Sequence, residues 1–236
     1  MINPIFVDIA SYQDVEPFLV ILQSLYDLVP IALFVIAGVI LLRCLYNKMV
    51  KGNYVLLAGG IIMVAVAGLL KAIHKFLIGA AQINFIILDK QFTSTQSIGF
   101  FLIFLAMIGM FTKFNKNYTK VRNIALPALL IFPLFVQIND YDSSLIFIIM
   151  MVVGALGYLG MLIYMAIRLK NIPSIILFAV AIVAMMGMGY LSSKGEFSTA
   201  WIQISVNIIY QGCFFAGVYL LKRNSNFMDE NCFYKE

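Results

Sequence analysis

Residues 144–167 read SLIFIIMMVVGALGYLGMLIYMAI, without a charged side chain before Arg168. A helix needs roughly 20 mostly apolar residues to cross the hydrocarbon core of a membrane, because that core is about 30 Å thick and each residue rises about 1.5 Å. This segment is long enough and apolar enough to do so. It therefore predicts a membrane-spanning helix.

The rest of the chain has the same character. Of its 236 residues, 63% are hydrophobic and 11% are charged, whereas soluble domains have about 45–50% and about 25%. A soluble protein of this composition could not cover its apolar surface with polar groups, so most of that surface is predicted to face lipid. We predict an all-α integral membrane protein in which residues 1–236 form one membrane domain.

Seven segments have the length and composition of spanning helices, which predicts a seven-transmembrane-helix bundle. These segments are residues 17–42, 54–74, 92–111, 123–138, 144–167, 174–192 and 200–221. Residues 76–91 are also mostly apolar and are harder to assign. An extension of the second segment, the beginning of the third, and a re-entrant or interfacial helix all fit this stretch, and these alternatives stay open here.

The basic residues predict the orientation of the bundle. Lys and Arg in short loops favour the cytoplasmic side of a membrane. With the N-terminus outside, the cytoplasmic side holds twelve of the 16 basic residues. They are Arg43, Lys48, Lys51, Lys113, Lys116, Lys120, Arg122, Arg168, Lys170, Lys222, Arg223 and Lys235. We predict an outer N-terminus, a cytoplasmic C-terminus and a multi-pass location in the cell membrane, namely a bacterial plasma membrane.

Ionisable side chains within the predicted spans gather toward the outer surface. Asp27 lies about four turns before Arg43, while Lys71, His74 and Lys75 share one helical face at the outer end of the second segment. Charges inside a membrane are usually paired, so an ion pair between Asp27 and Lys71 or His74 is expected. Such a pair either stabilises the helices near the lipid headgroups or forms part of a ligand site.

The last predicted segment has the clearest polar pattern. Gln203, Asn207 and Gln211 are four residues apart and therefore share one helical face, with Tyr210 beside them. Hydrogen bonds between helices and a water-filled cavity both account for this pattern. The residues predicted to bind a ligand in such a cavity are Asp27, Lys71, His74, Gln96, Tyr190, Gln203, Asn207, Tyr210 and Gln211.

The single histidine, His74, excludes several classes of function. Haem held by two histidines of one chain is not possible, and neither is a zinc site built from several histidines. Residues 200–221 contain no lysine that could form a retinal Schiff base. We therefore predict no metal and no cofactor. The basic loop 113–122 is too short to recognise nucleic acid, and anionic lipid headgroups are its expected contact.

Three functional hypotheses follow, all with membrane lipids as partners. In the first, the protein binds or transports a small polar or amphiphilic molecule through an outward-facing cavity. In the second, it is a receptor-like or accessory membrane subunit without transport activity, and its partner is another membrane protein. In the third, it is an intramembrane lipid-modifying enzyme with His74 as general base, oriented by Asp27. No motif places a catalytic nucleophile, which argues against the third.

Overall fold

A computed structural model describes residues 16–111, 144–192 and 197–224. The described chain is all-helical and contains six helices. They are α1, Pro17–Leu45; α2, Lys51–Ala81; α3, Ile86–Phe111; α4, Ser144–Arg168; α5, Ile172–Ser192; and α6, Phe197–Arg223. These helices correspond to six of the seven predicted segments. The other segment, residues 123–138, lies outside the described residues.

Length and composition allow five of these six helices to cross a membrane. The exception is α5, whose apolar part, Ile172–Met188, is shorter. The outward faces of the helices carry large apolar side chains, and Ile62, Val183 and Ile172 are each more than 60% exposed. An apolar exterior of this kind is typical of a protein surrounded by lipid. The predicted all-helical architecture of a multi-pass membrane protein is thus confirmed at this level.

The described helices pack in a ring. Helix α1 contacts α2 and α6, and each helix from α2 to α5 also contacts the next one along the chain. Helices α3 and α4 pack closely, since Gly154 lies against the backbone of Phe101 and Gly157 lies against the ring of Phe104. The ring encloses a core between the helices and leaves their outer faces exposed.

Residues 76–91 are divided between two helices. Helix α2 continues to Ala81, and α3 begins at Ile86. Gln82 ends α2 in the left-handed region with φ 56°, and its backbone N–H donates to the carbonyl of Ile78 at 3.1 Å. A left-handed residue at this position is a common way to end a helix. The apolar stretch thus extends both neighbouring helices and leaves only a short link between them.

Aromatic rings fill the centre of the helix ring. Phe34 stacks on Phe214 with ring centroids 5.7 Å apart, and Phe100 stacks on Tyr158 at 5.6 Å. Edge contacts between the two pairs complete the cluster, and all four side chains are buried. Stacked and edge contacts of this kind each contribute about 0.5–1.5 kcal/mol beyond the burial of area. We call these four residues the aromatic core, which joins α1, α3, α4 and α6.

Glycines allow the closest contact between helices α2 and α3. Gly60 faces Gly99, and a Cβ atom on Gly60 would lie 2.7 Å from the carbonyl oxygen of Gly99. Lipid tails are as apolar as the side chains they would replace, so helices in a membrane gain from close packing of their backbones. The Gly60–Gly99 contact therefore sets the spacing between α2 and α3.

Candidate functional site

A buried ion pair joins α1 to α2. The carboxylate of Asp27 accepts a hydrogen bond from Lys75 Nζ at 2.6 Å, and each side chain is only 9% exposed. Pairing is the usual means by which membrane proteins tolerate such charges. It also explains the length of α2. Hydropathy ends the predicted segment, residues 54–74, near its charged residues. Lys75 can nevertheless remain inside the bundle because its charge is balanced by Asp27.

The partner of Asp27 differs from the one predicted. Lys71 shares a helical face with Lys75, yet its Nζ lies over the ring of Phe92, 4.8 Å from the ring centroid. Lys75 is one turn further along α2, which is a rise of about 5–6 Å. That turn brings Lys75, and not Lys71, level with Asp27.

The predicted contact between His74 and the carboxylate of Asp27 is not formed among the described residues. Nε2 of His74 lies 2.9 Å from Oδ1 of Asn84, and the carboxylate of Asp27 is paired with Lys75. A carboxylate orients a catalytic histidine through a direct hydrogen bond to its ring. Asp27 makes no such bond, so the observation that motivated the enzyme hypothesis does not support it.

A cavity of about 60 Å³ lies beside the ion pair, between α1, α2, α3 and α6. One water molecule needs about 10–15 Å³ of such space, so the cavity has room for about four to six water-sized groups. Its lining residues are Asp27, Pro30, Ile31, Phe34, Val64, Ala65, Gly68, Lys71, Phe92, Gln96, Asn207 and Gln211. The cavity is therefore large enough for a small organic molecule or a cluster of waters.

The lining combines charged, hydrogen-bonding and apolar groups. Four helices supply its charged and amide side chains: α1 supplies Asp27, α2 supplies Lys71, α3 supplies Gln96, and α6 supplies Asn207 and Gln211. The aromatic core reaches the cavity through its member on α1. A few polar groups converging on a partly apolar concavity are characteristic of ligand sites.

The three amides of the lining are not used to join helices. Gln96, Asn207 and Gln211 have no side-chain hydrogen bond within the described part of the chain, and Oε1 of Gln211 is buried without a partner. An unpaired buried amide costs about 1–3 kcal/mol. Of the two explanations for the polar face of α6, a cavity therefore agrees with the geometry better than hydrogen bonds between helices.

Five of the nine predicted ligand-binding residues line this cavity. They are Asp27, Lys71, Gln96, Asn207 and Gln211. The tertiary structure thus brings together residues from four helices that are far apart in sequence. Their binding of a ligand stays a prediction.

The other four predicted residues lie outside the cavity lining. The ring of His74 is hydrogen-bonded to the side chain of Asn84, between α2 and α3. Tyr190 is 66% exposed on α5. Gln203 is one turn before Asn207 and two turns before Gln211 on α6, beyond the lining. Tyr210 is buried, and its hydroxyl hydrogen-bonds to that of Tyr158. Adjacent residues of a helix point about 100° apart, so Tyr210 faces the core while Gln211, the next residue, faces the cavity.

Two residues of the site were missed at the level of sequence. Lys75 neutralises Asp27 from just beyond the lining, and Phe92 holds the ammonium of Lys71. The sequence did contain a signal for Lys75, because it lies four residues after Lys71 and therefore on the same helical face. Phe92 is one of 20 phenylalanines in the chain, and nothing in its sequence context distinguishes it.

The tyrosine pair links α4 to α6 and yields a test of the core. Replacing Tyr158 with Phe should lower the free energy of unfolding by about 1 kcal/mol, because the hydroxyl of Tyr210 then stays buried without a partner. The double variant Tyr158→Phe/Tyr210→Phe should recover most of this loss, since no hydroxyl remains. Equilibrium unfolding in detergent micelles measures both. A double variant less stable than either single variant would contradict the pairing.

No protein-family model, curated protein or solved structure matches this chain. Its function is therefore inferred from the geometry and chemistry of the site. Within residues 16–111, 144–192 and 197–224, no group of three or more His, Cys, Asp or Glu side chains is placed to hold a metal ion. The lining of the cavity offers hydrogen bonds and charge to a ligand.

Proposed function

We propose that this protein binds or transports a small polar or amphiphilic molecule through the cavity between α1, α2, α3 and α6. The observation that carries the proposal is the convergence of one carboxylate, one ammonium and three amides from four helices on a single cavity. Polar groups inside a membrane bundle are costly unless they pair or serve a pathway. The carboxylate is paired, whereas the three amides have no hydrogen-bond partner among the described side chains.

The proposed orientation places the cavity in the outer half of the bundle. We propose seven crossings, an outer N-terminus, a cytoplasmic C-terminus and a location in the cell membrane. The distribution of basic residues supports the orientation. The seven apolar segments of the sequence support the number of crossings. Asp27 and Lys71 then lie toward the outside, and a ligand enters from that side.

A thermal-shift screen with a matched pair of variants tests the proposal. The full-length protein in detergent is screened against polar metabolites and short amphiphiles. A compound that raises the melting temperature of the wild type should lose most of this effect in Gln211→Ala. It should keep the effect in Gln203→Ala, which removes the same side chain two turns away on α6, outside the lining.

Equal responses of the two variants would contradict the proposed site. Uptake of a stabilising compound into proteoliposomes then separates transport from binding. Accumulation that depends on Gln211 supports transport, whereas specific binding without accumulation supports the receptor-like or accessory role. Binding without accumulation would leave the cavity as the binding site and would change only the proposed role of the bound molecule.

A further inference from the structure

The cavity has an excess of positive charge among its described residues. Asp27 and Lys71 are the ionisable members of its lining, and the carboxylate of Asp27 is balanced by Lys75 at 2.6 Å. Lys71 has no carboxylate partner in the part of the chain that the structure describes. Its contact there is with the ring of Phe92. Among the described side chains, one ammonium group at the cavity therefore has no opposite charge beside it.

Phe92 keeps the ammonium of Lys71 at the cavity. Nζ lies 4.8 Å from the ring centroid, and both residues belong to the lining. A cation–π contact offsets part of the cost of desolvating an ammonium group but leaves its charge in place. A lysine that only reached for the headgroups would extend its Nζ away from the bundle. The ammonium is thus positioned to attract an anion that enters the cavity.

The amides add a second requirement. Oε1 of Gln211 is buried and lacks a donor, so a ligand is favoured when it brings a hydroxyl or amine hydrogen to this atom. Asn207 lies one turn away on the same face and offers both a donor and an acceptor. Phe34 and Ile31 belong to the same lining and accommodate a short hydrocarbon part.

We propose, building on the binding function proposed above, that the ligand is a small organic anion that also carries one hydrogen-bond donor. Its anionic group binds Lys71, its donor binds Gln211, and its short apolar part contacts Phe34. Room for about four to six water-sized groups favours a small ligand. A short hydroxy or amino carboxylate has this chemistry. A whole phospholipid, with its glycerol backbone and acyl chains, is much larger than the volume of about 60 Å³ within the lining.

Three probes of similar size separate these requirements. Lactate has the anion and the donor, propionate has the anion alone, and glycerol has hydroxyls without charge. Calorimetric titration of the full-length protein, at matched ionic strength, should rank the affinities lactate, propionate, glycerol. The first and last should differ by at least about tenfold, as expected when a single buried charge contact is lost.

Variants assign each part of the ligand to its residue. Lys71→Gln should weaken lactate binding by at least about tenfold and leave the weaker glycerol binding unchanged, whereas Lys71→Arg should keep much of the affinity. Gln211→Leu should remove the preference for lactate over propionate. Gln203→Leu, the matched control, should bind all three probes as the wild type does. Melting temperatures without ligand show whether each variant is folded.

The outcomes distinguish this inference from the proposed function. Wild-type lactate affinity in a folded Lys71→Gln variant, with the preference for lactate over glycerol retained, would overturn the role of the ammonium. Binding of glycerol without binding of either acid would show that the ligand is not an anion, while the cavity would remain a binding site. Stabilisation by phosphatidylglycerol but not by lactate would show that the site binds a lipid and would contradict the proposal of a small free acid. Binding of no probe would overturn this ligand class, while the wider screen with Gln211→Ala decides the proposed function separately.

Discussion

Replacing Lys75 with Met should lower the free energy of unfolding by about 3–5 kcal/mol, the usual cost of removing one partner of a buried ion pair. Met preserves much of the apolar stem, but the carboxylate of Asp27 loses the ammonium 2.6 Å away. Asp27 has no other hydrogen-bond or ion-pair partner among the described residues. Its charge then stays buried and unpaired, which costs stability. Equilibrium unfolding with SDS in mixed micelles measures the loss.

Two further variants identify the ion pair as the cause. Lys71→Met removes a lysine from the same helical face that has no carboxylate partner in the described structure, and it should cost clearly less. The double variant Asp27→Leu/Lys75→Met should recover most of the loss, because neither charge is left unpaired. Equal losses for Lys71→Met and Lys75→Met would contradict the pairing of Asp27 with Lys75.

The second large effect is expected at the contact between α2 and α3. Gly60→Ala should lower the free energy of unfolding by about 2–3 kcal/mol, toward the upper end of the usual cost of overpacking. The added Cβ would lie 2.7 Å from the carbonyl oxygen of Gly99 and 3.0 Å from the backbone nitrogen of Ile103. Backbone atoms cannot rotate away as a flexible side chain does, so the two helices must separate.

Gly59→Ala is the matched control for this substitution. A Cβ atom on Gly59 would meet nothing within 4 Å among the described residues. The same added methyl group should therefore leave the free energy of unfolding unchanged or raise it by up to about 1 kcal/mol, through the better helix propensity of Ala. A loss as large as that of Gly60→Ala would show that the cost does not come from the contact with α3.

The Gly60–Gly99 contact also bears on the candidate site. Val64, one turn further along α2, and Gln96, one turn before Gly99 on α3, both line the cavity. Separating α2 from α3 at Gly60 should therefore alter the cavity as well as the stability of the bundle. Ligand binding measured in Gly60→Ala should weaken, whereas Gly59→Ala should bind as the wild type does.

Features that depend on one segment of chain could be predicted from the sequence. In lipid a backbone must satisfy its own hydrogen bonds, so a long apolar run forms a helix whatever its neighbours are. Residues 144–167 accordingly lie in α4, Ser144–Arg168. Helical spacing alone also placed Asn207 and Gln211 on one face, and the structure brings both to the cavity.

Features that depend on how two helices are placed relative to each other could not be predicted in this way. Asp27 had Lys71 and His74 as expected partners, and the choice of Lys75 depends on the shift of α2 along α1. Likewise Tyr210 and Gln211 are neighbours in sequence, but one bonds within the core and the other lines the cavity. These placements follow from the rotation and spacing of packed helices, to which glycine contacts and aromatic rings from distant segments contribute together.

Hydropathy and helical period act within each segment, so the amino-acid pattern alone predicts apolar helices with a few polar faces. Which polar side chains meet depends on how the helices pack. That packing paired Asp27 with Lys75 and left Lys71 and the amide of Gln211 facing one cavity. The physical reason is that a local pattern contains no information on the shift and rotation between helices, on which every contact of this site depends.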